Sequence, residues 1–573
     1  MATTSEERLD RDHKRGKGFV EGVGPTVAMG LGWFRLGSRV YPVTLLAFPV
    51  IVGGIATIGG AMALGATPGW RTFAVANPCV LALVNVPTDF PLWLRSLHYF
   101  NILIITLLFR SGIQILADHP RLYLSNHSTP GTEWLRFRSP VPPDRVWTAK
   151  DDSVSLPQVL GLPGGRHVIG LARKWHFLDV LLWLVIGATF VALLFATGQW
   201  RRLVPTTTAI VPDALTCAVT YASLRLPPGD GGVNVNALQQ LAYFSVVFIA
   251  PPLSILTGLA MSPALVNHYG RYQKLFGNRQ VARSIHFLLW FYYLVFTIVH
   301  TAMVVITNVR GNLNRIVLGV DNSSSWDGVI IGAVGVLVVI TLNVFANRAT
   351  WRYPSQLLHV YQRTVGPVMG ALFDRLTPDH QFLRADISPY FWLNGKMPTS
   401  EEFACLHQDD FHDYRLHVYG EVENPVELSL DEIKAMGKHQ QITLHNCIQG
   451  WSGIAEWGGI QMSTIMTLVR PNPCVKYAIF YSFGEGGGGG PYYDAHEVRE
   501  LWHPNSILAY EMNDETLSVL HGAPLRLRNE SQLGFKMVKW VRAIEFVSDY
   551  RRRFAGEGGY NEDHEYFGCK AEI

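Results

Sequence analysis

The sequence predicts two modules of different class, a membrane-embedded all-α bundle of six helices followed by a soluble α+β domain. Three observations carry this. The chain of 573 residues is longer than one ordinary domain. Its 48% apolar content lies mostly before residue 350. The remainder of the chain is polar, rich in Gly, Pro and scattered charge, with period-two apolar patches such as Arg415-Leu-His-Val-Tyr-Gly420 that read as strands. The expected boundaries are a polar arm at 1–40, the membrane module at 41–350, a connector at 351–384, the soluble module at 385–550 and a tail at 551–573.

Six largely uncharged stretches run over 41–66, 97–116, 176–197, 241–262, 284–307 and 328–346. Each is about 20 residues, the length that crosses the hydrocarbon core of a bilayer as helix. A net charge of +3 says little, but the placement of cations gives an orientation. The N-terminal arm (Arg8, Arg11, Lys14, Arg15, Lys17, Arg35, Arg39), the loop 117–175 and the loop holding Arg271, Lys274, Arg279 and Arg283 are basic, and the alternate loops are poorer. The positive-inside rule then puts the N-terminus and the soluble module on the cytoplasmic side of the inner membrane. No signal-peptide core or paired arginines precede the first stretch, in keeping with that placement. No nucleic-acid partner is expected, and the sequence leaves a homo-oligomer open. The six cysteines lie far apart without a CxxC, so neither a disulfide framework nor a zinc or iron–sulfur site is expected.

Ionisable residues inside spans are costly and by default face the bundle interior. His98 opens the second span, His176 opens the third, and His286 and His300 share the fifth. The last two are 14 residues apart, close to four helical turns, which puts them on one face roughly 21 Å apart. Adjacent spans run antiparallel, so His176 must pair with His286 and His98 with His300. Each pair sets imidazoles from two helices at one depth, as bis-imidazole ligation of a haem inside a four-helix core requires. Two haems, one near each membrane face, would make an electron wire. His119, His127, His167 and His268 lack partners at matching depth and read as structural or solvent-exposed. This block resembles the dihaem cytochrome b subunits of membrane formate dehydrogenases and nickel–iron hydrogenases, over approximately residues 90–310. The resemblance rests on the four histidines and leaves the first and last spans as additions.

The connector alternates Leu357, Val360, Tyr361, Val365, Val368, Met369, Leu372 and Leu376 with polar residues, a pattern for a helix on the membrane surface or packed on its own domain. Beyond it lie Ile387-Ser-Pro-Tyr-Phe-Trp-Leu-Asn-Gly395, Thr443-Leu-His-Asn-Cys-Ile-Gln-Gly-Trp-Ser452, His503-Pro-Asn-Ser-Ile-Leu-Ala-Tyr510, His521-Gly-Ala-Pro-Leu-Arg526 and Leu533-Gly-Phe-Lys-Met-Val-Lys-Trp540. These motifs resemble the sulfite oxidase superfamily of molybdopterin enzymes, especially its methionine-sulfoxide-reductase-like branch. A thiolate suits a redox-active metal, and the resemblance implies that Cys447 binds molybdenum and is the catalytic centre. It also implies that Asn394, His521 and Arg526 hold the pterin, and that Lys536 and Lys539 meet its phosphate. The glycine run 486–490 reads as a loop beside that site, with Tyr492 and Tyr493 facing the substrate.

True sulfite oxidases carry arginines just after the metal cysteine, which suits a dianion. Here the cysteine is succeeded by Ile448-Gln-Gly-Trp-Ser-Gly453, and no cation lies within six residues. With Trp451 and Trp457 nearby, the pocket is expected to be apolar and to favour a neutral sulfoxide or N-oxide. The leading expectation is therefore an enzyme passing quinol electrons through two b haems to a molybdenum–pterin centre that removes an oxygen atom. The same parts run backwards give a sulfite or aldehyde dehydrogenase that feeds quinone. A third reading, a transmembrane electron carrier with an inactive C-terminal domain, is opposed by the retention of Cys447.

Overall fold

The computed structural model describes residues 32–79, 90–141, 143–144, 146–227, 235–380, 382–486, 491–554, 559 and 570. Most of the N-terminal arm and of the C-terminal tail, and residues 487–490 of the glycine run, lie outside the described residues.

Six helices are long and apolar enough to cross a membrane: Val43–Ala66, Leu92–Asp118, Ile169–Ala196, Ala237–Leu259, Arg279–Leu318 and Asp327–Arg352. Their exposed faces carry large apolar residues such as Val50, Ile55, Val185 and Leu337, which water would not tolerate on this scale but lipid does. The second and third spans pack closely, and the fifth lies against the fourth and the sixth. The fifth span is broken at Asn308, whose φ −165° and ψ 80° are not helical, and the regular stretch before it, 279–307, is alone about 44 Å long, more than the hydrocarbon thickness of about 30 Å. Its first turns therefore stand clear of the bilayer. Asn278 caps them by accepting from the backbone amides of Gln280 and Val281.

The segment between the second and third spans is not an open loop. Arg121–Leu122 and Leu135–Arg136 pair with the hairpin Trp33–Leu36 and Arg39–Pro42 in a four-stranded sheet. Buried Arg121 ties the segment together by binding Asp152 and the Ser139 carbonyl. The connector forms two helices, Pro354–Thr364 and Gly366–Phe373. The first packs on the third span, with buried Leu358 and Tyr361 inward and the Lys174 ammonium 4.1 Å from the Tyr361 ring.

The soluble module holds two five-stranded sheets. One runs in the order Pro491–Glu497, Tyr477–Glu485, Val541–Val547, Arg415–Gly420, Val426–Ser429, with Val541–Val547 parallel to Arg415–Gly420. The other orders Glu515–Thr516, Ile507–Met512, Ser452–Gln461 and His439–Asn446, with Arg526–Arg528 also paired to Ile507–Met512. Trp392, Trp451, Trp457, Tyr414 and Phe480 fill the core between them. Ser452–Gln461 is buried along almost its whole length, so the loop before it is held by a strand that cannot shift without opening that core.

One expectation is overturned. Cys79 and Cys217 form a disulfide across 138 residues. No local spacing could announce it, because the loop after the first span and the helix Ile210–Ala222 after the third meet only once the bundle assembles. Both cysteines lie at the end of the bundle opposite the soluble module.

Candidate functional site: paired histidines in the membrane and a buried cysteine docked against them

The four span histidines come together as two pairs. The rings of His176 and His286 are 6.3 Å apart between centroids, and so are those of His98 and His300. Two metal–imidazole bonds of about 2 Å, with about 1 Å more from each nitrogen to its ring centre, span about 6 Å. Both gaps thus fit one metal each. Hydroxyls fix His176 and His286, the pair nearer the soluble module and hereafter the inner pair: Ser111 Oγ is 3.2 Å from His176 Nδ1, and Thr257 Oγ1 is 3.1 Å from His286 Nδ1. Each leaves Nε2 as the nitrogen available to a metal, the outer-shell arrangement that orients imidazole ligands. His300 stacks on Phe296 at 5.7 Å with an interplanar angle of 3°, and Tyr243 meets its edge at 5.9 Å.

The other histidines fall on the structural side of the expectation. His127 bonds Ser388 at 2.9 Å and His268 bonds the Thr377 carbonyl at 2.8 Å, which are structural roles. His119 and His167 are buried instead of solvent-exposed, at 2% and 3% exposure. Burial first, then the neighbouring His167 and three arginines, hold His119 well below the usual histidine range.

Cys447 sits in the tight turn between His439–Asn446 and Ser452–Gln461. Its amide donates to the Trp451 carbonyl at 3.0 Å, and the Gly450 amide donates to the Cys447 carbonyl at 3.1 Å. Gly450 has φ +85°, which favours glycine, and a Cβ there would lie 2.6 Å from the Arg283 guanidinium and displace it. Burial pushes the Cys447 thiol up to about 12, although backbone amides of Gln449 and Ile448 and the charge of Arg279 act the other way. A thiol so held loses its proton only to something that binds the sulfur strongly, as a metal does.

The expected pterin-binding residues surround it, with one exception. Asn394 Nδ2 reaches Cys447 Sγ at 3.6 Å and Gln449 at 3.4 Å. Lys539 Nζ donates to the Asn394 carbonyl at 2.6 Å, and Arg526 Nη1 donates to the His521 carbonyl at 2.9 Å. His521 is held by Ser518 at 2.8 Å and pushed down to about 4 by burial, with Arg526 and Lys539 adding to it. Buried Arg526 Nε has no hydrogen-bond partner among the described residues, and buried cations gather here, which suits an anionic cofactor. Lys536 is the exception. It is fully buried, and its ammonium is committed to Asp494 and the Ala495 carbonyl. Tyr492 and Tyr493 also turn away from a substrate role, Tyr492 donating to the Phe535 carbonyl and Tyr493 stacking on Phe554 at 4.5 Å.

Sequence reasoning missed the partner of this loop. Gln280 Nε2, from the first turn of the fifth span, donates to the Gly450 carbonyl at 2.9 Å and to Ser452 Oγ at 2.6 Å. Arg283 Nη1 reaches the same carbonyl at 3.3 Å. Arg279 acts electrostatically on Cys447, so the cation absent from the residues after Cys447 is supplied by the membrane module. The purely apolar pocket is thereby corrected. His445, stacked on Trp451 at 5.0 Å and bonded to Arg528 at 3.0 Å, completes the wall. Only the basic run at 271–283 hinted at any of this, and it reads equally well as a topology signal.

A histidine-paired membrane bundle joined to a buried thiol ringed by cations defines a membrane-bound redox protein. Residues 89–319 match the family model of the prokaryotic cytochrome b561, and residues 404–555 that of the oxidoreductase molybdopterin binding domain. The chain is 31% identical over 201 residues to a putative protein-methionine-sulfoxide reductase subunit YedZ1 of Azospira oryzae, covering 35% of this chain and 70% of that protein. It is 30% identical over 144 residues to the protein-methionine-sulfoxide reductase catalytic subunit MsrP of Xanthomonas campestris pv. campestris, covering 23% of this chain and 45% of that one. The chain thus spans less than half the length of that catalytic relative. The sulfane dehydrogenase SoxCD of Paracoccus pantotrophus aligns at 22% identity over 24% of this chain and 39% of its own, with a TM-score of 0.22. The chain belongs to the YedZ1 family, and it carries a b-type cytochrome and a molybdopterin-dependent oxidoreductase domain in one membrane-bound polypeptide.

Proposed function

We propose that this protein takes electrons from membrane quinol, passes them through two b haems, and reduces a neutral sulfoxide at a molybdenum–pterin centre. The observation that carries the reading is the fifth span. It bears His286 and His300, one from each pair, and its first turn bonds the Cys447 loop through Gln280 and Arg283. Molybdenum on a pterin supplies oxygen-atom transfer coupled to electron transfer, and haem iron supplies one-electron relay. His176 with His286 and His98 with His300 would hold one haem each. Cys447 would bind molybdenum, with Asn394, His521, Arg526 and Lys539 holding the pterin. The printed activity of the YedZ1 and MsrP relatives favours a sulfoxide, methionine sulfoxide in proteins among them.

On this reading the protein lies in the inner membrane with its molybdenum module facing the cytoplasm. Basic loops favour this. The Cys79–Cys217 disulfide favours it independently, because disulfides persist in oxidising compartments and this one lies at the opposite end of the bundle.

Arg279 beside Cys447 favours a second reading, an oxyanion substrate such as sulfite with electrons flowing toward quinone. One experiment separates the two. Methionine sulfoxide or dimethyl sulfoxide should reoxidise prereduced haem in the purified protein, and Cys447→Ser should abolish this while leaving the haem spectrum intact. If sulfite reduces oxidised haem and no sulfoxide reoxidises it, the reductase reading fails.

A further inference from the structure

Arg173, Arg279 and Arg283 form a knot of guanidinium groups between the inner histidine pair and the Cys447 loop. Arg173 lies three residues before His176, and Arg283 three before His286. That spacing is nearly one turn, so each arginine shares the face of its histidine and stands about 4.5 Å nearer the soluble module. Arg279 is one further turn along the same face.

Some of their donors are satisfied. Arg283 binds the carbonyls of Arg121 at 2.7 Å, Gly450 at 3.3 Å and His119 at 3.3 Å, and Arg279 Nε binds that of Met261 at 2.9 Å. Others are not. Arg279 Nη1, Arg173 Nη2 and both ring nitrogens of His119 are buried without a hydrogen-bond partner among the described residues. The groups that act electrostatically on the three arginines are other arginines, Tyr361, Tyr123 and Cys447, with no carboxylate among them. Buried cations that repel one another, with donors left over, are costly unless an anion completes them.

We propose that this knot is a preformed site for the two propionate carboxylates of a haem held by His176 and His286, an inference that rests on the haem assignment above. Register selects the propionates over other anions. Two of the arginines sit one turn from the two imidazoles on their own helices, where the polar edge of a ligated macrocycle would fall. Arginine is also suited to the ligand, since its planar fork meets a carboxylate with two parallel donors. The haem is thereby oriented with its propionate edge toward the soluble module. Arg283 then touches the carboxylates on one side and the Gly450 carbonyl on the other.

The test is a redox titration of the purified full-length protein. In Arg173→Gln and Arg279→Gln the propionate charge is left uncompensated beside the iron, which stabilises the ferric state. The midpoint of one haem should fall, that of the other should stay, and haem content should be unchanged; Arg279→Lys should restore most of the fall. Unmoved midpoints in both Gln variants with full haem content overturn the proposal. So does loss of molybdenum or pterin with both midpoints unmoved, which assigns the knot to the pterin phosphate. Should the Gln variants lose haem, infrared redox difference spectra with 13C-labelled propionates decide, comparing wild type with Arg279→Lys. Shifted carboxylate bands support the site and identical bands overturn it. Failure of the haem assignment has a different signature, because His176→Ala and His286→Ala would then leave haem content and both midpoints unchanged.

Discussion

The side chain of Gln280 donates to the carbonyl of Gly450 at 2.9 Å, so a residue of the fifth span grips the turn that carries Cys447. Without it Ser452 Oγ also loses a bond, and although Arg283 still reaches the Gly450 carbonyl and Ser452 still bonds Asn446, each lost hydrogen bond contributes about 0.5–1.5 kcal/mol. Gln280→Ala should leave both modules folded and loosen their docking. Stopped-flow reoxidation of haem by substrate should slow roughly tenfold, the kinetic equivalent of about 1.4 kcal/mol. An unaltered rate would show that this contact does not hold the modules in register.

Ser111 and Thr257 each place a hydroxyl on the Nδ1 of an inner-pair histidine. Ser111→Ala and Thr257→Ala should weaken haem retention at that pair by roughly 10- to 100-fold in affinity, the usual cost of losing an outer-shell partner. Haem-to-protein ratio and low-temperature EPR would read this, with the signal of the His98/His300 pair as an internal control. Equal loss from both pairs would point to general unfolding instead.

The Cys79–Cys217 bridge closes a loop of 138 residues, and Cys217→Ser should lower stability by about 2–4 kcal/mol, seen as an earlier loss of haem absorbance on heating in detergent. The free cysteines report sidedness. In intact cells an impermeant maleimide should leave exposed Cys405 and Cys474 unlabelled, and both should react in inverted vesicles. Labelling of Cys405 from outside would reverse the orientation.

His521 should give the soluble module an acid limb. Its folded value, near 4, lies below the ordinary 6.5, chiefly through burial. The unfolded chain therefore binds a proton that the folded one refuses, and stability falls as pH drops from 6.5 towards 4. His521→Gln should flatten that limb in urea titrations across this window and leave stability near pH 8 little altered. A limb of unchanged steepness would assign it to other groups.

How much of this was legible in the sequence depended on the range of the signal. The spans follow from local composition. The pairing of His176 with His286 and of His98 with His300 follows from helical period and antiparallel order, both local rules applied across a bundle. Cys447, Asn394, His521, Arg526 and Lys539 converge as their motifs implied. Lys536 did not, because Asp494, 42 residues earlier, captures it. The grip of Gln280 on Gly450 bridges 170 residues and leaves no periodic trace. Charges at Arg279 and Arg283 were visible, but a topology rule accounted for them fully and concealed their second duty. The hydroxyls of Ser111 and Thr257 look like ordinary small residues of a span until the rings opposite them are placed.

Having the fifth span and the Cys447 loop in one polypeptide changes what their contact must achieve. Two separate proteins would have to recognise each other from dilute solution and would need a broad, well-packed interface. A covalent tether instead holds the partners at an effective concentration on the order of millimolar. A few hydrogen bonds from Gln280 and Arg283 then suffice, and they can part and reform without either partner being lost. Cutting the chain within the connector at Tyr353 should turn this from a first-order into a second-order encounter, with turnover that depends on protein concentration.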